Sequence, residues 1–185
     1  MNVADAGTLV QVENIKQLKA RYFRFIDSKQ WDALRGVFTD DLQFYFESPT
    51  PATDSADSFV AFISERLATA VSVHHGHTPE ISIIDDSNAT GVWAMYDWVD
   101  DPDHGRAFQG YGHYRERYRR GSDGNWRISE LRLERIRVDP VEPGKGNVAR
   151  TTPAPRCDDT AVVDRDLVCI TAGRRRQSRE GVVLA

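Results

Sequence analysis

Cysteine is almost absent from this chain: of its 185 residues only Cys157 and Cys169 carry a thiol, and both lie beyond residue 150. Neither has a neighbouring histidine or a second cysteine pair, which excludes a zinc motif, a disulfide framework and a thiol nucleophile in the first 140 residues. Long apolar runs are missing too. No stretch approaches the ~18 apolar residues of a membrane-spanning helix, so no membrane partner is expected. No G-x-G-x-x-G or G-x-x-x-x-G-K follows a strand-like segment, and no serine sits in a nucleophile elbow. The opening Met1–Gly7 lacks the basic cluster and apolar core of a signal peptide, which makes the cytoplasm the expected location. Positive charge is also scarce where the chain is richest in pattern. Residues 1–140 hold 16 Lys and Arg against 22 Asp and Glu, while residues 141–185 are weakly basic and carry Arg174–Arg176. An acidic body repels phosphate backbones, so nucleic acid is excluded as its partner.

The composition that remains is that of a folded protein: 40% hydrophobic, 28% charged, with 8 Phe, 6 Tyr and 4 Trp. From Leu9 to Asp27 the apolar residues Val12, Ile15, Leu18, Tyr22, Phe25 and Ile26 recur at steps that mark one helix face. Trp31, Leu34, Val37 and Phe38 predict a second, shorter helix ending at Thr39–Asp41, and Leu42–Phe46 a strand. Ser48–Thr53 holds Pro49 and Pro51 and reads as a loop. Ser55 or Asp57 then caps a third helix carrying Phe59, Phe62, Ile63 and Leu67. Four strand-like runs follow, 71–85, 89–99, 107–118 and 126–138, separated by short polar turns. Helices first and strands afterwards predict an α+β domain with its helices on one face of a curved, mostly antiparallel sheet. Beyond Asp139 six prolines and glycines interrupt the chain up to Arg156, so residues 1–139 are expected to form the catalytic domain and 140–185 a poorly ordered tail.

Four polar features sit where the pattern expects packing. Tyr22 lies on the apolar face of the first helix, where a tyrosine is ordinarily core. Asp27, at that helix's C-terminus, opposes the negative end of the helix dipole and needs another reason to be there. His74-His75-Gly76-His77 places three imidazoles in four residues; histidine exchanges a proton near neutral pH, and it also binds metals. Two imidazoles on one strand face lack an evident third ligand, so no metal is expected, and Pro79 prevents alternation from choosing which histidine faces inward. Asp97 alternates with Trp93, Met95 and Val99, so it either has a partner, faces a cavity, or is shifted into the acidic turn that follows. Arg135 shares its parity with Leu131 and Leu133, which fits a buried ion pair or an anionic group of a ligand.

The strings Ile15–Asp27 with Trp31-Asp32, Val73–Ile81 (V-H-H-G-H-T-P-E-I), Ala89–Trp93 and Asp123–Ile128 resemble the SnoaL-like members of the NTF2-like superfamily. Among these the resemblance is greatest to the bile-acid 7α-dehydratases and more distant to the scytalone dehydratases. It covers residues 9 to about 139, and it is most specific in H-x-G-H-T-P-E-I, although His75 replaces an apolar residue. It implies a cone-shaped α+β barrel around an apolar pocket, with Tyr22, His74, Asp97 and Asp27 catalytic and Asp97 as the partner of His74. Arg135, His77 and Trp93 are then expected against the substrate. The implied reaction needs no cofactor: a dehydratase eliminating water from a small apolar cyclic hydroxy-carbonyl compound of steroid or polyketide type. The same pocket could serve an isomerase or polyketide cyclase, or the fold a non-catalytic small subunit of a ring-hydroxylating oxygenase. A homodimer or homotrimer is expected from the same resemblance.

Overall fold

In the computed structural model, residues 6–144 are described. The expected tail beyond residue 144, with both cysteines and the arginine cluster, lies outside the described residues. Helix α1, Ala6–Asp27, buries Ile15, Leu18, Tyr22, Phe25 and Ile26, the face that the periodicity marks. Each large apolar side chain so buried contributes about 1.5–3 kcal/mol, and tertiary packing of this kind is what holds a helix in place. A five-residue α2, Trp31–Arg35, follows, then β1 (Phe38–Phe46) and α3 (Ala56–Arg66). Ser55 caps α3 by accepting from the Ser58 amide at 3.1 Å. The strands β2 (Val71–Ile83), β3 (Asn88–Asp101), β4 (Arg106–Arg120) and β5 (Trp126–Pro140) complete the chain, with one turn of 3₁₀ helix, Pro102–His104, between β3 and β4.

All five strands form one sheet in the order β1-β5-β4-β3-β2. Three neighbouring pairs are antiparallel and β1 runs parallel to β5. The expected α+β arrangement, helices first and a mostly antiparallel sheet after, is the one adopted. Helix α1 packs on β2 and β5, and α3 on β1. No helix among the described residues is long and apolar enough to cross a membrane.

Three local differences from the sequence reading have physical causes. The second helix stops at Arg35 because Phe38 is taken by the sheet, where it pairs with Ile128 while its ring packs edge-on to Tyr22 and Phe59. Pro79 bulges β2 without ending it: Thr78 adopts φ +37° and pairing resumes at Glu80. Strand β5 continues to Pro140, and the Val141 amide still donates to Ala107 O at 2.9 Å, so order extends past the expected boundary at residue 139.

One polar network lies wholly inside. Lys19 of α1 and Glu116 of β4 form an ion pair with both side chains fully buried. The Tyr118 hydroxyl also donates to Glu116, and Trp93 Nε1 donates to that hydroxyl at 2.8 Å. The Lys19 ammonium lies 4.0 Å from the ring centroid of Tyr22 and 3.8 Å from that of Tyr114. Burial pulls the Lys19 ammonium below its ordinary pKa, against the opposing pull of Glu116. Breaking such a pair strands the remaining charge. Lys19→Met is expected to cost about 3–5 kcal/mol, and Lys19→Met with Glu116→Gln to cost clearly less than Lys19→Met alone. Urea denaturation of the two variants measures the difference.

Candidate active site

A cavity opens between the C-terminal half of α1, helix α3 and the inner face of the sheet. Its walls are mainly apolar: Phe44 and Phe46 of β1, Phe59 and Phe62 of α3, Phe108 of β4 and Ile26 of α1. Against this lining stand Tyr22, His74, Asp97, Tyr114 and Arg135, with Arg66 and Arg106 also on the wall. An aromatic cleft with a few convergent polar groups is the usual form of a small-molecule site.

The bulge at Thr78-Pro79 lies beyond the histidines, so alternation holds through the first half of β2. Ser72 and His74 point inward and are buried. His75 and His77 point outward, their rings 5.6 Å apart and His75 against Tyr96. His77, expected against the substrate, therefore sits on the opposite face of the sheet from the cavity. Trp93 is inward-facing but does not line the cavity either; its ring belongs to the core, with its indole N–H spent on Tyr118.

The carboxylate that orients His74 is Asp27. His74 Nδ1 lies 2.6 Å from Asp27 Oδ1, the His74 amide donates to Asp27 Oδ2 at 2.9 Å, and Ser72 Oγ donates to Oδ1 at 3.1 Å. This explains an acid at a helix C-terminus: three donors outweigh the unfavourable dipole. With Nδ1 committed to Asp27, Nε2 is the ring nitrogen available to the cavity. Asp97, the expected partner, faces His74 directly across the β2–β3 ladder but is bound elsewhere. Arg135 Nη1 donates to Asp97 Oδ1 at 2.8 Å and Nη2 to Oδ2 in a bidentate pair, with both side chains nearly buried. A guanidinium fork matches a carboxylate better than one imidazole N–H does, so Arg135 takes Asp97.

Arg135 is on β5 and Asp97 on β3, so their pair crosses β4. It crosses over Gly110, the residue paired with Asp97. A Cβ at position 110 would lie 1.7 Å from Arg135 Nη1 and 2.1 Å from Asp97 Oδ1. Glycine is therefore required there. Tyr22 is 3% exposed, within hydrogen-bonding reach of Tyr114, and burial raises its phenol pKa well above the ordinary range, helped by Glu116, Asp27 and Asp97. It remains a protonated donor at any pH where histidine acts as a base. Among the described residues, no three His, Cys, Asp or Glu side chains converge as metal ligands.

Gly110, Ser72, Tyr114 and Lys19 escaped the sequence reading, though each leaves a trace. Gly110 interrupts a strand, Ser72 shares the parity of His74, Tyr114 alternates with Tyr118, and Lys19 falls four residues after Ile15 on the apolar face.

The SnoaL-like domain family matches residues 7–132, and the chain belongs to it. The chain is 28% identical over 134 residues to the probable cyclase FGR4 of Gibberella zeae, a match covering 66% of this chain and 89% of that one. Among solved structures it is similar to a protein provisionally named scytalone dehydratase from Novosphingobium aromaticivorans: TM-score 0.65, 16% identity, 78% of this chain and 97% of that one. It is similar also to the hexachlorocyclohexane dehydrochlorinase LinA-type3 of Novosphingobium barchaimii, with TM-score 0.65, 15% identity and coverage of 83% and 100%. At such identities these two likenesses concern the fold, the NTF2-like α+β cone.

Gly110→Ala is expected to force the Asp97–Arg135 pair apart and to cost about 1–3 kcal/mol. Thermal unfolding gives the loss, and a structure of the variant shows whether Arg135 has left Asp97. An intact pair with unchanged stability would contradict this account.

Proposed function

We propose that this SnoaL-like protein is an acid–base lyase that eliminates water from a cyclic hydroxy-carbonyl compound of steroid or polyketide type. The observation that carries this reading is the Asp27–His74 pair at the edge of an aromatic cavity, with a protonated Tyr22 on the same wall. A general base needs a fixed tautomer and a free nitrogen, and both follow from the hydrogen bond at Nδ1. In the proposed reaction Nε2 of His74 takes the acidic C–H proton beside the carbonyl. The C–H electron pair moves into an enolate, whose oxygen accepts a hydrogen bond from Tyr22. The C–O bond to the β-hydroxyl then breaks as the enolate collapses to the enone. The proton on His74 leaves with that hydroxyl as water, so the base is regenerated and no cofactor is consumed. The Asp97–Arg135 pair presents a largely neutralised guanidinium to the cavity, polar enough to orient a carbonyl.

The apolar walls favour a ring substrate, because flat rings bury large areas against phenylalanine. None of the relatives described above is a bile-acid 7α-dehydratase, and the resemblance to those enzymes is most specific in the segment around His74. A second reading, cyclisation, is favoured by the Gibberella zeae relative and uses the same base and donor. An aldol-type ring closure followed by dehydration and a simple elimination both release water, whereas isomerisation leaves the mass unchanged.

His74→Ala and Asp27→Asn are each expected to lower turnover of cyclic β-hydroxy ketones by at least about a hundredfold, with folding retained. Tyr22→Phe should lower kcat more than it raises KM. With a substrate whose ring is already closed, mass spectrometry separates elimination, which gives a product lighter by one water, from isomerisation, which does not change the mass. Full activity in His74→Ala would sink the assignment.

A further inference from the structure

Helix α1 ends in an unusual way. The Lys29 amide donates to Ile26 O at 3.3 Å and the Gln30 amide to Phe25 O at 2.9 Å. These are the two bonds of a Schellman cap. The residue between helix and exit must then take a left-handed conformation, and Lys29 does so with φ +59°. Glycine is the ordinary occupant of this position, and a side chain there carries backbone strain.

The conformation sends the lysine side chain back across the helix end. Its Nζ donates to Ser72 Oγ at 2.8 Å, and Ser72 Oγ donates in turn to Asp27 Oδ1 at 3.1 Å. Asp27 is the carboxylate on His74 Nδ1. A serine hydroxyl has one hydrogen to give, so the donors converge on the carboxylate: the ammonium donates to the hydroxyl and the hydroxyl to Asp27, which also accepts from the imidazole Nδ1–H. The Lys29 side chain is partly withdrawn from solvent, and desolvation lowers its pKa while Asp27 opposes the fall.

We propose that Lys29 and Ser72 are positioning residues that set the proton affinity of His74 by drawing negative charge off Asp27. Neither lines the cavity, so both act through the carboxylate. This inference rests on the reading of His74 as a base. The other groups around the imidazole stay fixed in the comparison. They are Asp97 across the ladder with its partner Arg135, Tyr22 from α1, Tyr114 from β4, and Arg66 and Arg106 on the cavity wall. Removing the ammonium leaves Asp27 more negative, and a more negative neighbour stabilises imidazolium. The histidine then holds its proton to higher pH and is a poorer base below that point.

The test is a proton NMR titration of the full chain without substrate, with the His74 ring signal identified by its loss in His74→Ala. In Lys29→Met and Ser72→Ala the midpoint is expected to rise by about half a pH unit, or roughly threefold in proton affinity. Lys29→Arg should titrate as wild type does. Lys29→Gly keeps the proposal falsifiable, since glycine suits the left-handed position and should hold or raise thermal stability, yet its midpoint should rise as in Lys29→Met. A wild-type midpoint in Lys29→Gly, or a shift in Lys29→Arg equal to that in Lys29→Met, overturns the proposal and makes Lys29 a helix terminator only. No turnover is measured, so this outcome is separate from the activity of His74→Ala. If that variant is fully active while the midpoints shift as stated, the relay stands and the catalytic reading falls.

Discussion

The ion pair between Lys19 and Glu116 determines where everything on α1 must lie. Both groups are withdrawn from water, so each is tolerable only against the other. Any slide or rotation of the helix along the sheet would separate them. The helix therefore has one register on β4, and Tyr22, three residues on, is carried to the cavity wall. Asp27, about two turns beyond Lys19 on the same helix, reaches the β2 strand beside His74. An apolar face alone would permit neighbouring registers at modest cost, since hydrophobic contact is non-directional. The buried pair is directional, and it removes that freedom.

From this register follows a division of carboxylates. Glu116 belongs to Lys19, Asp97 to Arg135, and Asp27 to His74 with Ser72 and Lys29 behind it. Among these three acids no cation or donor is shared. The division separates functions as well as charges. The pair on β3 and β5 braces the sheet across Gly110, while the pair between α1 and β2 leaves one imidazole nitrogen open. Were Asp97 also directed at His74, the imidazole would face two carboxylates, and Arg135 would keep only Glu47, 4.0 Å from its Nε.

Much of this was legible in the sequence, and the limit has a physical form. Period 3.6 gave the inner face of α1 and period 2 the inner parity of Asp97 and Arg135, whereas His74 was singled out from its neighbours by the family resemblance alone. Periodicity states which face a side chain occupies. It does not state which neighbour on that face it will hold. Asp97 and His74 are on one rung, so their pairing was reasonable, but a guanidinium two strands away competes for the same oxygens. That competition exists only because residue 110 has no side chain, a fact about a third strand. His77 was misplaced for a simpler reason: its neighbours in the motif drew it toward the site, whereas strand alternation from His74 puts it outside. The end of the second helix, expected to run past Phe38, was lost to parallel pairing with β5, a contact some ninety residues distant in sequence. Lys29 gave no periodic signal at all. A lysine after a helix is common, and only its backbone angle distinguishes it.

The placement of Asp27 bears on what kind of base His74 can be. A carboxylate fully exposed to water would be screened and would do little to the imidazole; one fully buried without further donors would bind the proton so tightly that the pair would not return it. Asp27 lies between these cases. Its side chain is a quarter exposed, and two further donors, the His74 amide and Ser72, share its charge. Such a carboxylate fixes the tautomer of the imidazole and leaves Nε2 open. A reaction that takes a proton from carbon and gives it back to a departing oxygen within one turnover needs that balance, because the same nitrogen must be basic enough for the first step and acidic enough for the second. The hydroxyls on the cavity wall are those of Tyr22 and Tyr114, and burial holds both phenols protonated. The cleft thus holds an oriented imidazole beside two protonated phenols, the base and the hydroxyl donor that the proposed elimination asks for.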